Sequence, residues 1–309
     1  MDLEVWKRIS GFTALDNYPV LPCPHCNKLA LELETESLQV RAIKEQTLLA
    51  ASRKYRAEKQ NKEAAFKQKQ DAISKSDGFW LPVIGAVATF YLDHVDPING
   101  APFLFNGFFT CSSCQQSVTA SGVLLEPNQG LNNSQPKVKQ IKVEHFSPTV
   151  PIFSLSANTP KPIGEELFDA FKHFHFDPPS SASKLRRAIE KFCEDMQVEG
   201  GNLNRKVQNL AETHPEEASY LEPLKLIGNE GTHGSDVAEL DLLHAFQMFQ
   251  FVLELYDRKA RFSELQQTYQ VLANKVGKDK LQLEFKAAVV IEAKSISPKL
   301  GLAETKVTR

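Results

Sequence analysis

The chain has 309 residues, 42% of them hydrophobic and 24% charged. This ordinary globular usage excludes wholesale disorder and a fibrous fold, and the length fits about two domains. Thirty-six Lys and Arg against 38 Asp and Glu leave a net charge of -2. That balance excludes a generally basic nucleic-acid binder, although a local basic patch can sit inside a balanced total.

The opening MDLEVWKRIS lacks the basic-then-apolar pattern of an export signal. Five cysteines without such a signal point to a reducing, cytoplasmic compartment, where cysteine pairs serve as metal ligands or redox centres. The longest apolar run, from Phe79 to Leu92, is shorter than a bilayer span and contains Pro82 and Gly85. It reads as buried core, with no membrane role.

The first stretch ends in the knuckle Pro22-Cys23-Pro24-His25-Cys26. From Leu31 to Ser76 there is no Gly and no Pro, and Ala, Lys, Gln and Glu dominate, which is helix-former chemistry over a long window. Its sparse apolar positions predict one long arm or a helical hairpin over about 31–76. The stretch from Asp77 to about Thr159 is rich in aromatics, Gly, Pro and Asn and reads as strands and loops, with a turn or linker between Asn128 and Pro136.

Helical periodicity takes over from Pro160. Pro162 suits a first helical turn ahead of Ile163, Leu167, Phe171 and Phe174 on one face, and Asp177-Pro178-Pro179 stops that helix. The serines at 180, 181 and 183 offer N-caps for a second helix carrying Leu185, Ala188, Ile189, Phe192, Cys193 and Met196. Asn202 can cap a third with Leu203, Val207 and Leu210, and Pro215 opens a fourth with Leu221, Leu224 and Ile227. Gly228 to Gly234 reads as a glycine-bearing break before a long final helix running from Val237 to Tyr256 and beyond. The outline is an antiparallel helical bundle over 160–275, with a loose extension over 276–309.

Cys23-x-x-Cys26 and Cys111-x-x-Cys114 form two Cys-x-x-Cys pairs. The two-residue spacer lets both thiolates of a pair point at one ion, and two pairs complete a closed, structural tetrahedral Zn2+ site. Strand-like flanks on both sides suggest a zinc ribbon, here split by about 84 residues and so carrying the 31–76 helix as an insertion within 1–159. Two unrelated knuckles, or a redox pair, are the alternatives. His25 is a possible substitute ligand, and Cys193 falls on the apolar face of a helix, where it reads as core.

Between Arg41 and Ser76 ten basic residues face four acidic ones. Arg53, Lys54, Arg56, Lys59 and Lys62 make this a candidate surface for RNA or DNA, or for an acidic protein partner met through the long helix as in a coiled coil; a solvated helix face is the plainer reading. Asn229 and His233 lie one helical turn apart, which suits either an acid–base pair or a tight interhelical turn.

The run from Ser183 to Glu190, then Gly201-Asn-Leu-Asn204, then Leu224 to Gly234 resembles a prokaryotic zinc-knuckle and helical family similar to the HEPN superfamily, some of whose members are fused to restriction or helicase modules. The resemblance implies a fold that is α+β, mostly α: a split zinc ribbon with a long inserted helical arm, followed by a HEPN-like antiparallel helical bundle. It also implies a homodimer, a role in anti-phage defence, and metal-independent RNA cleavage with His233 as the catalytic histidine and Asn229 at the polar motif position. Gly228 stands where the motif carries arginine, and glycine supplies no charge for the scissile phosphate. Arg186 and Arg187 are candidates to supply it, while Arg186 and Glu190 are also spaced for a helical ion pair. The expected function is a zinc-stabilised module binding nucleic acid or a protein partner; a ribonuclease using His233 and a purely structural interaction protein are the alternatives.

Overall fold

A computed structural model of the chain describes residues 2–74, 100–127, 138–232 and 237–275, side chains at 66, 69, 70, 72–74 and 225–232 excepted. The apolar run Phe79–Leu92, the turn at Asn128–Pro136, His233 and the 276–309 extension lie outside these residues. Among the described residues no helix is long and apolar enough to cross a membrane.

The elements run α1 (Leu3–Ile9), β1 (Thr13–Ala14), a 3-10 turn (Leu15–Asn17), β2 (Leu21–Pro22), β3 (Leu29–Ala42), α2 (Glu45–Ala51), α3 (Arg53–Ser74), β4 (Ala101–Cys111), β5 (Ser117–Glu126) and β6 (Gln140–Ser147). The helices α4 (Lys161–Phe174), α5 (Pro178–Asp195), α6 (Leu203–Leu210), α7 (Pro215–Thr232) and α8 (Glu239–Lys275) follow. The strands form one curled antiparallel sheet in the order β1-β6-β5-β4-β3-β2.

This sheet overturns the expected architecture of a split zinc ribbon followed by a separate HEPN-like bundle. The knuckles occupy only one end of a half-barrel of six strands, and the long strands β4 and β5 continue well past them. Period-two burial on β4 explains why: Phe105, Gly107, Phe109 and Cys111 face inward, while Leu104, Asn106 and Phe108 face out. The inward face merges with the helices into one hydrophobic core running from Trp6 through Phe109 and Ile141 to Phe171, Phe246 and Tyr256. Sheet and helices are thus two layers around a shared core.

The 31–76 arm is also corrected. Its first third is strand: Leu29, Leu31 and Leu33 alternate with Ala30, Glu32 and Glu34, and β3 pairs with β4 at Leu31↔Cys111 and Leu33↔Phe109. Helix-former composition loses here to cross-strand pairing. Only residues 45–51 and 53–74 are helical, with a break at Ser52. Leu48 and Tyr55 bury themselves on the outer sheet face against Val123 and Leu125, forming a small second core.

Gly122 marks an irregularity between β5 and β6, and a Cβ there would lie 2.0 Å from the Lys142 carbonyl oxygen. Only glycine allows the two backbones this approach.

The helical region follows its sequence closely. Ile163, Leu167, Phe171 and Phe174 are buried on α4, and Pro162 sits in its first turn. Asn202 caps α6, accepting from the Arg205 N–H at 2.9 Å, and Leu203, Val207 and Leu210 are buried. Two details differ. The N-cap of α5 is Asp177, with Pro178 and Pro179 opening the helix, so the serines at 180, 181 and 183 lie inside it. Helix α7 continues to Thr232, so the expected break at Gly228 is helical through most of its length.

Candidate metal centre

Each knuckle is a strand end that reverses on itself. At the first, the Asn27 N–H donates to the Cys23 carbonyl at 2.9 Å and the Cys23 N–H to the Lys28 carbonyl at 2.8 Å. At the second, the Gln115 N–H donates to the Cys111 carbonyl at 2.9 Å and the Cys111 N–H to the Gln116 carbonyl at 3.0 Å. The two turns repeat one hydrogen-bond scheme. Each places its residue four beyond the first cysteine in the left-handed region, Asn27 at φ 58° and Gln115 at φ 60°.

The pairing of β3 with β4 brings the turns together, and the Ser112 N–H donates to the Ala30 carbonyl at 2.8 Å beside them. Cys23 Sγ lies 3.7 Å from Cys114 Sγ, and Cys26 Sγ lies 3.7 Å from Cys111 Sγ. All four sulfurs fall within 4.8 Å of one another and could hold a metal ion. Ligands at the roughly 2.3 Å of a zinc–thiolate bond, set tetrahedrally, stand about 3.8 Å apart. The observed spacing therefore suits a single ion. Cys23 and Cys111 are buried, and Cys26 and Cys114 are half-buried.

Burial raises the Cys111 thiol, but the backbone N–H groups of Cys114 and Ser113 and the facing thiols outweigh it and bring it down to about 7. The backbone contact with Gln116 lowers Cys114, while burial and the three neighbouring thiols push it up to about 12. Thiols this close cannot all ionise without a cation to share their charge. His25 is exposed and its backbone N–H donates to Cys23 Sγ, so it holds the turn and lies outside the four-sulfur set. Cys193 is buried on α5, and burial pushes its thiol up to about 11.

Five of the seven candidate basic residues are paired with acids of the same chain. Lys54 donates to both carboxylate oxygens of Glu239 at 2.6 and 2.7 Å, Arg53 pairs with Asp177 at 3.3 Å, and Lys59 pairs with Glu45. Arg187 pairs with Glu166 at 2.6 Å and Arg186 with Glu190 at 3.2 Å. Arg56 is exposed and Lys62 half-buried on α3. Asn229 lies on α7; its side chain and all of His233 are outside the described residues.

Lys142 and His175, like Glu217, are buried ionisable groups that escaped the sequence reading. Lys142 is 2% exposed and donates to the Ile9 carbonyl at 3.0 Å. Burial lowers its pKa to about 8, against the opposing pull of Glu239. His175 is packed among Trp6, Phe146 and Phe174. Burial, with the charges of Lys142 and His145, holds it well below the usual histidine range. The signal for Lys142 was a lysine inside the apolar run Ile141–Val143, but the helices that cover it come from elsewhere in the chain.

No curated protein and no solved structure matches the chain. Residues 168–281, from within α4 onward, match the family model described as a domain of unknown function, DUF4145.

Proposed function

We propose that the protein is a zinc-stabilised binding module that engages a protein partner in prokaryotic anti-phage defence. The closed four-thiol cluster carries this reading, because four protein ligands leave a tetrahedral ion no position for substrate. Such an ion supplies folding energy by pinning two hairpins whose sequences lie far apart.

The engagement of Arg53, Lys54, Lys59, Arg186 and Arg187 by acids of the same chain favours a protein partner over a phosphate backbone. The middle of α3, with Asn61, Glu63, Lys67 and Gln68 exposed, offers that partner a polar helical surface. The defence setting rests on the order of short motifs shared with the zinc-knuckle family linked to restriction modules.

Nucleic-acid binding is the second reading, supported by exposed Arg56 and Lys67 on α3. Anisotropy titrations with labelled RNA and DNA at two salt concentrations test it. The protein-partner reading predicts no salt-steep isotherm, and a steep one returns the nucleic-acid reading. RNA cleavage that disappears in His233→Ala would establish the ribonuclease alternative instead.

A further inference from the structure

Helices α2 and α3 cover the outer sheet face at Val123 and Leu125. Further along the same strands that face carries a groove of about 340 Å³. A row of side chains crosses it on four strands. Gln39 of β3 lies opposite Asn106 of β4, Asn106 opposite Ser121 of β5, and Ser121 opposite His145 of β6. A second row, Phe108, Thr119 and Ser147, lies beside the first.

Two register shifts build the first row. Plain alternation from Glu34, which stands opposite the outward Phe108, would turn Gln39 inward. Alternation from the core residue Val143 would likewise turn His145 inward. On β3 four residues separate Glu34 from Gln39, where β4 has only Gly107 between their partners. On β6 Glu144 separates Val143 from His145, where β5 has nothing between Gly122 and Ser121. Both differences are odd, so each reverses the alternation, and Gln39 and His145 are exposed on the face of Asn106. Bulges re-aim side chains in this way beside functional sites. Among the described residues the side chains of Gln39, Asn106, Ser121 and Ser147 make no hydrogen bond, and Phe108 is 45% exposed. Among the described residues no Lys, Arg, Asp or Glu lines the groove. A face built only for solubility mixes such charges in. This one sets neutral amides and hydroxyls around an exposed aromatic ring.

We propose that this groove binds a neutral disaccharide. Amides and hydroxyls both donate and accept, as a sugar hydroxyl does, so each can meet one on both counts. The Phe108 ring offers an apolar platform to the C–H face of a pyranose. A wall without cations has nothing to pair with a phosphate or carboxylate, which disfavours nucleic acid and acidic sugars. The first row spans three inter-strand intervals, about 14 Å in all, which suits two linked rings better than one. The volume lies within the roughly 300–1,000 Å³ of small-molecule sites.

The test is calorimetric titration of the full-length, metal-loaded protein with maltose, cellobiose and lactose. Adenosine, an uncharged ligand that also stacks on aromatic rings, is titrated beside them. Saturable binding of at least one disaccharide is expected, with little dependence on salt. Phe108→Ala should weaken it by about 10-fold, and Asn106→Ala by about 5-fold, the scale of one lost neutral hydrogen bond. Both side chains are exposed, so both variants should melt with the wild type, and Gln39→Ala stands in for either that does not. No saturable binding of any disaccharide, binding of adenosine alone, or disaccharide binding unchanged in the variants overturns the assignment.

Discussion

Cys23 and Cys114 stand 91 positions apart in the chain and 3.7 Å apart at their sulfurs, each facing the other from a different hairpin. Neither hairpin encloses an ion by itself; the site exists because β3 lies beside β4. A metal here acts as a clamp on the sheet.

Purified protein is therefore expected to carry one zinc per chain by elemental analysis. Cys114→Ser should lose the metal and lower the melting temperature by on the order of 10 °C, and a strong chelator should do the same to the wild type. A chelator-treated protein that melts unchanged would show that the four thiols do not hold an ion the fold depends on.

Arg258 pairs with a fully buried carboxylate, Glu217, in the helical layer. The Glu217 side chain is 1% exposed, and Arg258 is held by Glu217 and, at 3.6 Å, by Glu216. Arg258→Ala leaves a buried carboxylate unpaired and should cost about 3 kcal/mol in urea unfolding. The double variant Glu217→Gln, Arg258→Ala should recover much of that loss, and a purely additive result would refute the pairing argument.

Lys142 gives stability an alkaline dependence. Its folded pKa of about 8 lies below the 10.5 of an unperturbed lysine, so between these two pH values the unfolded chain holds more proton than the native one. Stability should rise across that window, by about 3 kcal/mol in total, and be flat just below it. Lys142→Met should abolish the rise and stabilise the protein near pH 7 by about 2 kcal/mol. Denaturant unfolding at pH 7 and pH 10 measures both effects.

His175 works at the other end of the scale. Held neutral by burial, it resists the proton that the unfolded chain accepts below about pH 6.5. Stability should fall as pH drops from 7 to 5, and His175→Phe should lessen that fall while keeping the ring contacts with Trp6, Phe146 and Phe174. An unchanged acid limb in the variant would assign the loss to carboxylates.

Sequence alone determined what depends on near neighbours. The cysteine spacing marked all four sulfurs, because a two-residue spacer is a local constraint. The apolar periodicity of α4, α5 and α6 marked Phe171, Phe192 and Val207 as core, because a 3.6-residue repeat declares one buried face whatever covers it.

Tertiary structure decided the rest. The stretch Leu31–Ala42 has helix-former composition but is a strand, because β4 offers it a partner whose bonds outweigh propensity. The two expected domains share a core, because the sheet leaves one face apolar and the helices are what covers it. Lys142 and His175 are buried and Lys54 is paired with Glu239, because elements more than a hundred residues apart close over them. None of these burials has a periodicity to announce it, since each depends on which surfaces meet.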